Sequence, residues 1–277
     1  MILGLFRLAM ICRRSRSSGP KALAQRKPNI IARFVRQLRK IAHIRRIDAN
    51  CPLCLIVLIM RLDRKHDFPG KLLVVEGVDG SGKSTQLDLL RNHLEAKGKS
   101  VIFTEWNSSK LISKTIKQAK RANSLIPATF SLLHAADFAD RLENIIIPAL
   151  KAGLIVLADR YCYTAFARDV ARGVDTEWVR NLYGFAIRPD GAFYFQVPVE
   201  VSLSRIAASR APGFYEAGMD LGLSADPHES FHLFQSRIIS EYDKMVDEFG
   251  LHIMPAVKPI HEQQLLFRKI AAEVLAL

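Results

Sequence analysis

Past residue 67 the chain alternates short apolar runs with longer stretches of helical periodicity. Lys71-Leu72-Leu73-Val74-Val75-Glu76 is a short apolar run of the kind that forms a buried parallel strand. Leucines at 87, 90 and 94 in the stretch that follows have helical spacing. Ser100–Thr104 reads as a second strand; a helical region and then one long helix over about 127–150 come next. Ala152–Ala158 is a third, fully apolar strand, and two helical segments run on to about residue 187. Asp190–Val197 is a fourth strand, after which Pro198 opens a helix, since proline is tolerated in a first turn. A long helix over 229–249, a short strand over 251–254 and a terminal helix from near Ile260 complete the series. Five short strands alternating with helices predict an α/β fold with a parallel sheet covered on both faces. Residues 209–227 are rich in Gly, Pro and charge and too long for a turn, which makes them a lid candidate.

Charge divides the chain. Residues 1–67 carry 16 Lys and Arg against three acids, whereas the remaining 210 residues carry 24 of each sign, so the net +13 belongs to the first segment. The expected organisation is a basic extension over 1–67 followed by a catalytic domain over 68–277. Bulk charge gives that domain no character of a nucleic-acid binder. Within the extension, an amphipathic helix is expected over about 28–46. Ile30, Phe34, Leu38 and Ile41 fall on one face, and Arg33, Arg36, Arg39 and Lys40 on the other. Such a segment suits a membrane surface or an acidic partner, or an organellar transit peptide. A third reading is an untranslated leader, with Met60 opening the chain. Cys51-Pro-Leu-Cys54 is a lone CxxC with no second pair at zinc spacing. Beyond it only Cys162 remains, which points to a reducing compartment and a cytoplasmic location. The apolar run 53–60 is far short of the ~20 residues a membrane-crossing helix needs.

The chemistry starts where the first strand ends. Gly77-Val78-Asp79-Gly80-Ser81-Gly82-Lys83-Ser84-Thr85 satisfies G-x-x-x-x-G-K-[ST], between a strand and a helix. Glycines let backbone N–H groups converge on phosphate oxygens, and the helix N-terminus favours the negative charge. Lys83 would reach the outer phosphates and Ser84 would hold Mg²⁺, so the loop predicts binding of a nucleoside triphosphate such as ATP. Asp159-Arg160 closes the third strand, so both side chains emerge at the carboxyl edge of the sheet beside that loop. There an arginine can fork a second phosphate, and the aspartate can contact magnesium through water or hold the arginine. Arg205 and Arg210 stand where the lid begins and could close on a transferring phosphate. Glu105 and its neighbours end the second strand, another position at which such sheets place ligand contacts.

Together these residues resemble the thymidylate kinase family of nucleoside monophosphate kinases. The resemblance is carried by LLVVEGVDGSGKSTQ, by IIIPALKAGLIVLADRY with Asp159-Arg160-Tyr161, by RGVD at 172–175 and by VPVEVSLSRI from Val197. It implies transfer of the γ-phosphoryl of ATP to a nucleoside monophosphate, dTMP by default, with Mg²⁺ bridging the phosphates, and it admits a homodimer. By that resemblance Asp79 lies near the acceptor sugar, Arg160 grips the acceptor phosphate and Arg205 and Arg210 are lid arginines. The chain departs from the family on the acceptor side. His134 and Phe138 stand where the family has a Phe and, four residues on, an Arg; Arg141 could supply the missing guanidinium. Phe166-Ala167-Arg168-Asp169 replaces an expected Tyr-Gln pair. Two alternatives therefore stay open: a kinase of the same fold acting on a free deoxynucleoside or another small acceptor, and a nucleotide-dependent switch tethered by the basic helix.

Overall fold

A computed structural model of the chain describes residues 65–123 and 125–277. The expected helix over 28–46, the CxxC pair and the remainder of the basic extension before residue 65 lie outside the described residues. Five strands form one parallel sheet in the order β2-β3-β1-β4-β5: β1 Lys71–Glu76, β2 Val101–Glu105, β3 Ile155–Asp159, β4 Gly191–Gln196 and β5 His252–Pro255. Strands β1, β3 and β4 are buried almost throughout, as their apolar runs require when helices cover both faces of a sheet.

The helices are α1 Lys83–Ala96, α2 Ser113–Arg121, α3 Pro127–Arg141, α4 Ile147–Lys151, α5 Cys162–Ala171, α6 Thr176–Leu182, α7 Val199–Ala207, α8 Pro227–Phe249 and α9 Ile260–Leu275. Among the described residues none is long and apolar enough to cross a membrane. Asp226 caps α8 by accepting from the N–H groups of His228 and Glu229, and Pro227 fills its first turn, which starts the helix two residues earlier than its apolar spacing implies.

Two larger departures from the sequence expectation have local causes. The long helix expected over 127–150 is broken by a π-helical turn, Leu142–Ile146. Pro148 has no N–H to give the carbonyl four residues back, and the turn before it widens. The third strand begins at Ile155 rather than at Ala152. Gly153, at φ 79°, ends α4 in a left-handed turn in which its N–H donates to Leu150 O (3.1 Å) and that of Leu154 to Ala149 O (3.0 Å). Apolarity alone cannot separate those residues from the strand.

Candidate active site

The strand order sets β1 between β3 and β4, with Val75 in register with Asp159 and Glu76 in register with Tyr194. Side chains leaving the carboxyl ends of these strands therefore share one edge. The loop from β1 to α1 turns through Gly77, Gly80 and Gly82, all at positive φ. A Cβ on Gly80 would sit 2.7 Å from Ser202 O, so α7 packs against the loop where only glycine fits. Ser202 Oγ donates to Asp79 O at 2.6 Å, and Arg205 donates to Gly80 O at 3.2 Å and to Ala256 O at 2.9 Å, which braces the loop from outside.

Lys83 lies 7 % exposed at the start of α1, its Nζ 3.5 Å from Val78 O and 3.9 Å from Asp79 Oδ1. Burial, with Arg160 nearby, lowers its pKa, while Asp79 opposes the shift. Arg160 adopts a left-handed backbone at φ 69°, uncommon for a residue with a Cβ. Its N–H donates to Val75 O (2.9 Å), and its carbonyl accepts from Arg141 Nη2 (2.8 Å). From that turn the guanidinium donates to Gly77 O (3.0 Å), to Thr164 Oγ1 (3.3 Å) and to Asp79 Oδ1. Burial on its own would raise the pKa of Asp79; Arg160 and Lys83 outweigh it and hold the carboxyl at about 2. The reciprocal effect raises Arg160 against its own burial.

Beneath this pair sits a fully buried carboxylate with no signature in the sequence. Glu76, the last residue of β1, accepts from Tyr161 N (2.7 Å), Thr164 Oγ1 (2.6 Å) and Tyr242 OH (2.8 Å). Burial raises its pKa and these bonds lower it, leaving a net rise. Through them Glu76 fixes the turn that presents Arg160. Tyr161 is buried as well, its hydroxyl donating to Ile187 O at 2.9 Å.

Ser84 Oγ donates to Asp159 Oδ2 at 2.6 Å, and the other oxygen of this buried carboxylate, Oδ1, has no partner. A hydroxyl and a carboxylate with an open lone pair are the hard oxygen donors that Mg²⁺ takes alongside nucleotide phosphates. The residues fit that ion.

On the far side of Arg160 the acceptor candidates form an aromatic cluster. Trp106 follows β2 and its backbone N–H donates to Asp159 O (3.0 Å). Its ring stacks on His134 (5.7 Å, 21°) and Tyr183 (6.4 Å, 25°), with the guanidinium carbons of Arg141 and Arg168 each 5.5 Å from its centre. Phe138 meets Tyr161 edge-on at 4.8 Å. Arg141 is fully buried and lies over Phe138 at 5.5 Å. Glu105 is exposed at the end of β2, in register with Asp159. Sequence reasoning left Trp106 without a role. Its sole hint is an indole at a strand end, and its partners lie in α3, in α5 and at the end of α6.

In the candidate lid, Arg210 makes a two-pronged pair with Glu216 (2.6 and 2.9 Å) and remains half exposed. Arg172 donates to Asp220 Oδ2 (3.0 Å) and Tyr215 O (2.5 Å) and lies over Phe130 and Phe234 (4.5 Å each), which pins the segment to α5.

A glycine-rich phosphate loop on the central strand, with a buried Lys83, the Ser84 hydroxyl beside it and an Asp-Arg pair on the adjacent strand, defines a P-loop nucleotide-binding α/β protein. The family model for thymidylate kinase matches residues 75–249. Among curated relatives, a probable thymidylate kinase 2 of Saccharolobus solfataricus is 46% identical over 208 residues, 74% of this chain and 97% of that protein. A probable thymidylate kinase of Thermococcus kodakarensis is 31% identical over 204 residues, 69% and 93% of the two chains. A thymidylate kinase of Desulfotalea psychrophila is 38% identical over 143 residues, 51% and 71%. The chain belongs to the thymidylate kinase family, and it is a nucleoside monophosphate kinase, a phosphotransferase that uses ATP as donor and nucleotides as substrates.

Proposed function

We propose that the protein transfers the γ-phosphoryl group of ATP to the phosphate of dTMP, giving dTDP. The observation that carries this reading is the Asp79–Arg160 pair, which joins two phosphate grips rooted on neighbouring strands. One grip is the loop Gly77–Thr85, whose N–H groups and Lys83 hold the donor phosphates. The other is Arg160, whose planar fork suits the acceptor phosphate. Asp79 keeps that fork oriented in the free protein and lies where the acceptor sugar would pass. Ser84 and Asp159 would hold Mg²⁺, which when bound neutralises charge on the transferring group. Arg205 keeps the loop in shape, and Arg210 is the lid cation that would leave Glu216 to meet the phosphates on closure. Two further expectations belong to this reading. The buried free thiol of Cys162 favours a reducing compartment such as the cytoplasm, and the homodimer is testable by sedimentation.

The test is ATP–Mg²⁺ turnover against a panel of monophosphates and free nucleosides. Turnover with dTMP and none with thymidine is expected. Lys83→Ala should lower kcat at least ~10³-fold with the fold intact by circular dichroism, and a variant that retains turnover would refute the assignment.

A further inference from the structure

The aromatic cluster beside Arg160 carries a feature that the phosphate chemistry does not use. Trp106 Nε1 lies 3.0 Å from His134 Nδ1. An indole nitrogen can only donate, so Nδ1 must accept, and in a neutral imidazole the proton then sits on Nε2. His134 is neutral: burial first, then Arg168, Lys120 and Arg172, hold its pKa well below the ordinary histidine value. Its Nε2–H is buried and has no partner, although the residue is only 1 % exposed. A second unmatched donor lies close by. Arg168 is fixed at Nε by Asp169 Oδ1 (3.2 Å) and spreads over Phe130 (4.6 Å) and Trp106 (5.5 Å), while its Nη2 is buried without a partner. His134 shares both rings, its own centre 4.6 Å from Phe130. Buried donors left open over one aromatic platform would cost stability unless a ligand satisfies them.

We propose that His134 Nε2–H and Arg168 Nη2–H are the pair that reads the acceptor base, by donating to the two ring carbonyls of a pyrimidine-2,4-dione. This rests on the monophosphate-kinase reading above and says which base it takes. Cytosine replaces one of those carbonyls by an amino group and so sets donor against donor, which buried sites reject strongly. Arg141, expected from sequence to supply the missing guanidinium, also has Nε and Nη1 buried without partners, but its Nη2 holds the Arg160 carbonyl and Asp137 faces its charge, which ties it to the turn that presents Arg160.

The experiment measures kcat/KM for dTMP, dCMP and the base-free acceptor 2-deoxyribose 5-phosphate, in the unaltered protein, His134→Phe, Arg168→Met and Arg141→Met. The unaltered protein should favour dTMP over dCMP by about 10³-fold. His134→Phe and Arg168→Met should each shrink that ratio at least tenfold, through loss on dTMP alone, with KM for ATP and the rate on the base-free acceptor changed less than twofold. A 4-deoxo analogue of dTMP, tested on the unaltered protein, should lose as much as one of the variants does and needs no substitution to fold. Equal losses on all three acceptors would mean a merely structural role and overturn the proposal. So would an unchanged ratio in both variants, full use of the 4-deoxo analogue, or collapse of the ratio on Arg141→Met alone. Turnover with no monophosphate at all would remove the parent reading and this one with it.

Discussion

Lys120 shows how closely one residue can be held to a titration point. It sits in α2 with its ammonium 5.1 Å from the centre of the Phe130 ring. Burial, then Arg168 and Arg172, lower its pKa to about 7 from an ordinary 10.5. The folded chain thus releases this proton before the unfolded chain does. Between about pH 7 and 10.5 the unfolded state binds more protons, so raising the pH through that window favours folding. The penalty for the buried charge is full below about pH 7 and gone by pH 10.5. Lys120→Met should therefore be more stable than the unaltered protein in urea at pH 6, with the difference closing as the pH approaches 10.5. A difference independent of pH would show that the ammonium is not strained. No sequence pattern marks this lysine, because the cations that strain it lie on a different helix.

At the scale of elements, Glu76 ties β1 to α5 through Thr164 and to α8 through Tyr242. Glu76→Gln keeps the shape but puts an amide N–H where an acceptor is required, against at least one of these buried donors. A loss of about 3 kcal/mol is expected, measured as a lower urea midpoint, together with a raised KM for the acceptor because the Arg160 turn loosens. The elements themselves were largely legible. The phosphate loop announces itself through glycines that only left-handed turns require, and β1 and β3 through runs apolar on both faces. What stayed hidden depends on distant partners. Glu76 reads as the polar end of a strand until residues 88 and 166 positions away fold onto it. Trp106 and His134 are 28 residues apart and form one hydrogen-bonded stack. The π-turn at Leu142–Ile146 escaped because its residues keep helical spacing on either side, and only the missing N–H of Pro148 disturbs them.

For the whole molecule, the uneven charge makes a prediction that leaves catalysis aside. The Saccharolobus relative is matched over 97% of its length by 208 residues of this chain, which is about the size of residues 65–277. A chain starting at residue 65 should accordingly fold and keep the kcat of the full chain. Removing residues 1–64 leaves the balanced part, so retention on a polyanionic resin should fall sharply and lose most of its salt dependence. Undiminished retention would place the basic surface in the kinase part instead. The sheet itself has a further consequence. The donor loop grows from β1 and Arg160 from β3, and these strands are paired through five registered positions. Neighbouring strands lie about 4.8 Å apart, a spacing set by backbone hydrogen bonds that no side chain can alter. The ladder thus acts as a fixed gauge between the roots of the two grips. Evolution can recut either grip without recalibrating the interval between donor and acceptor.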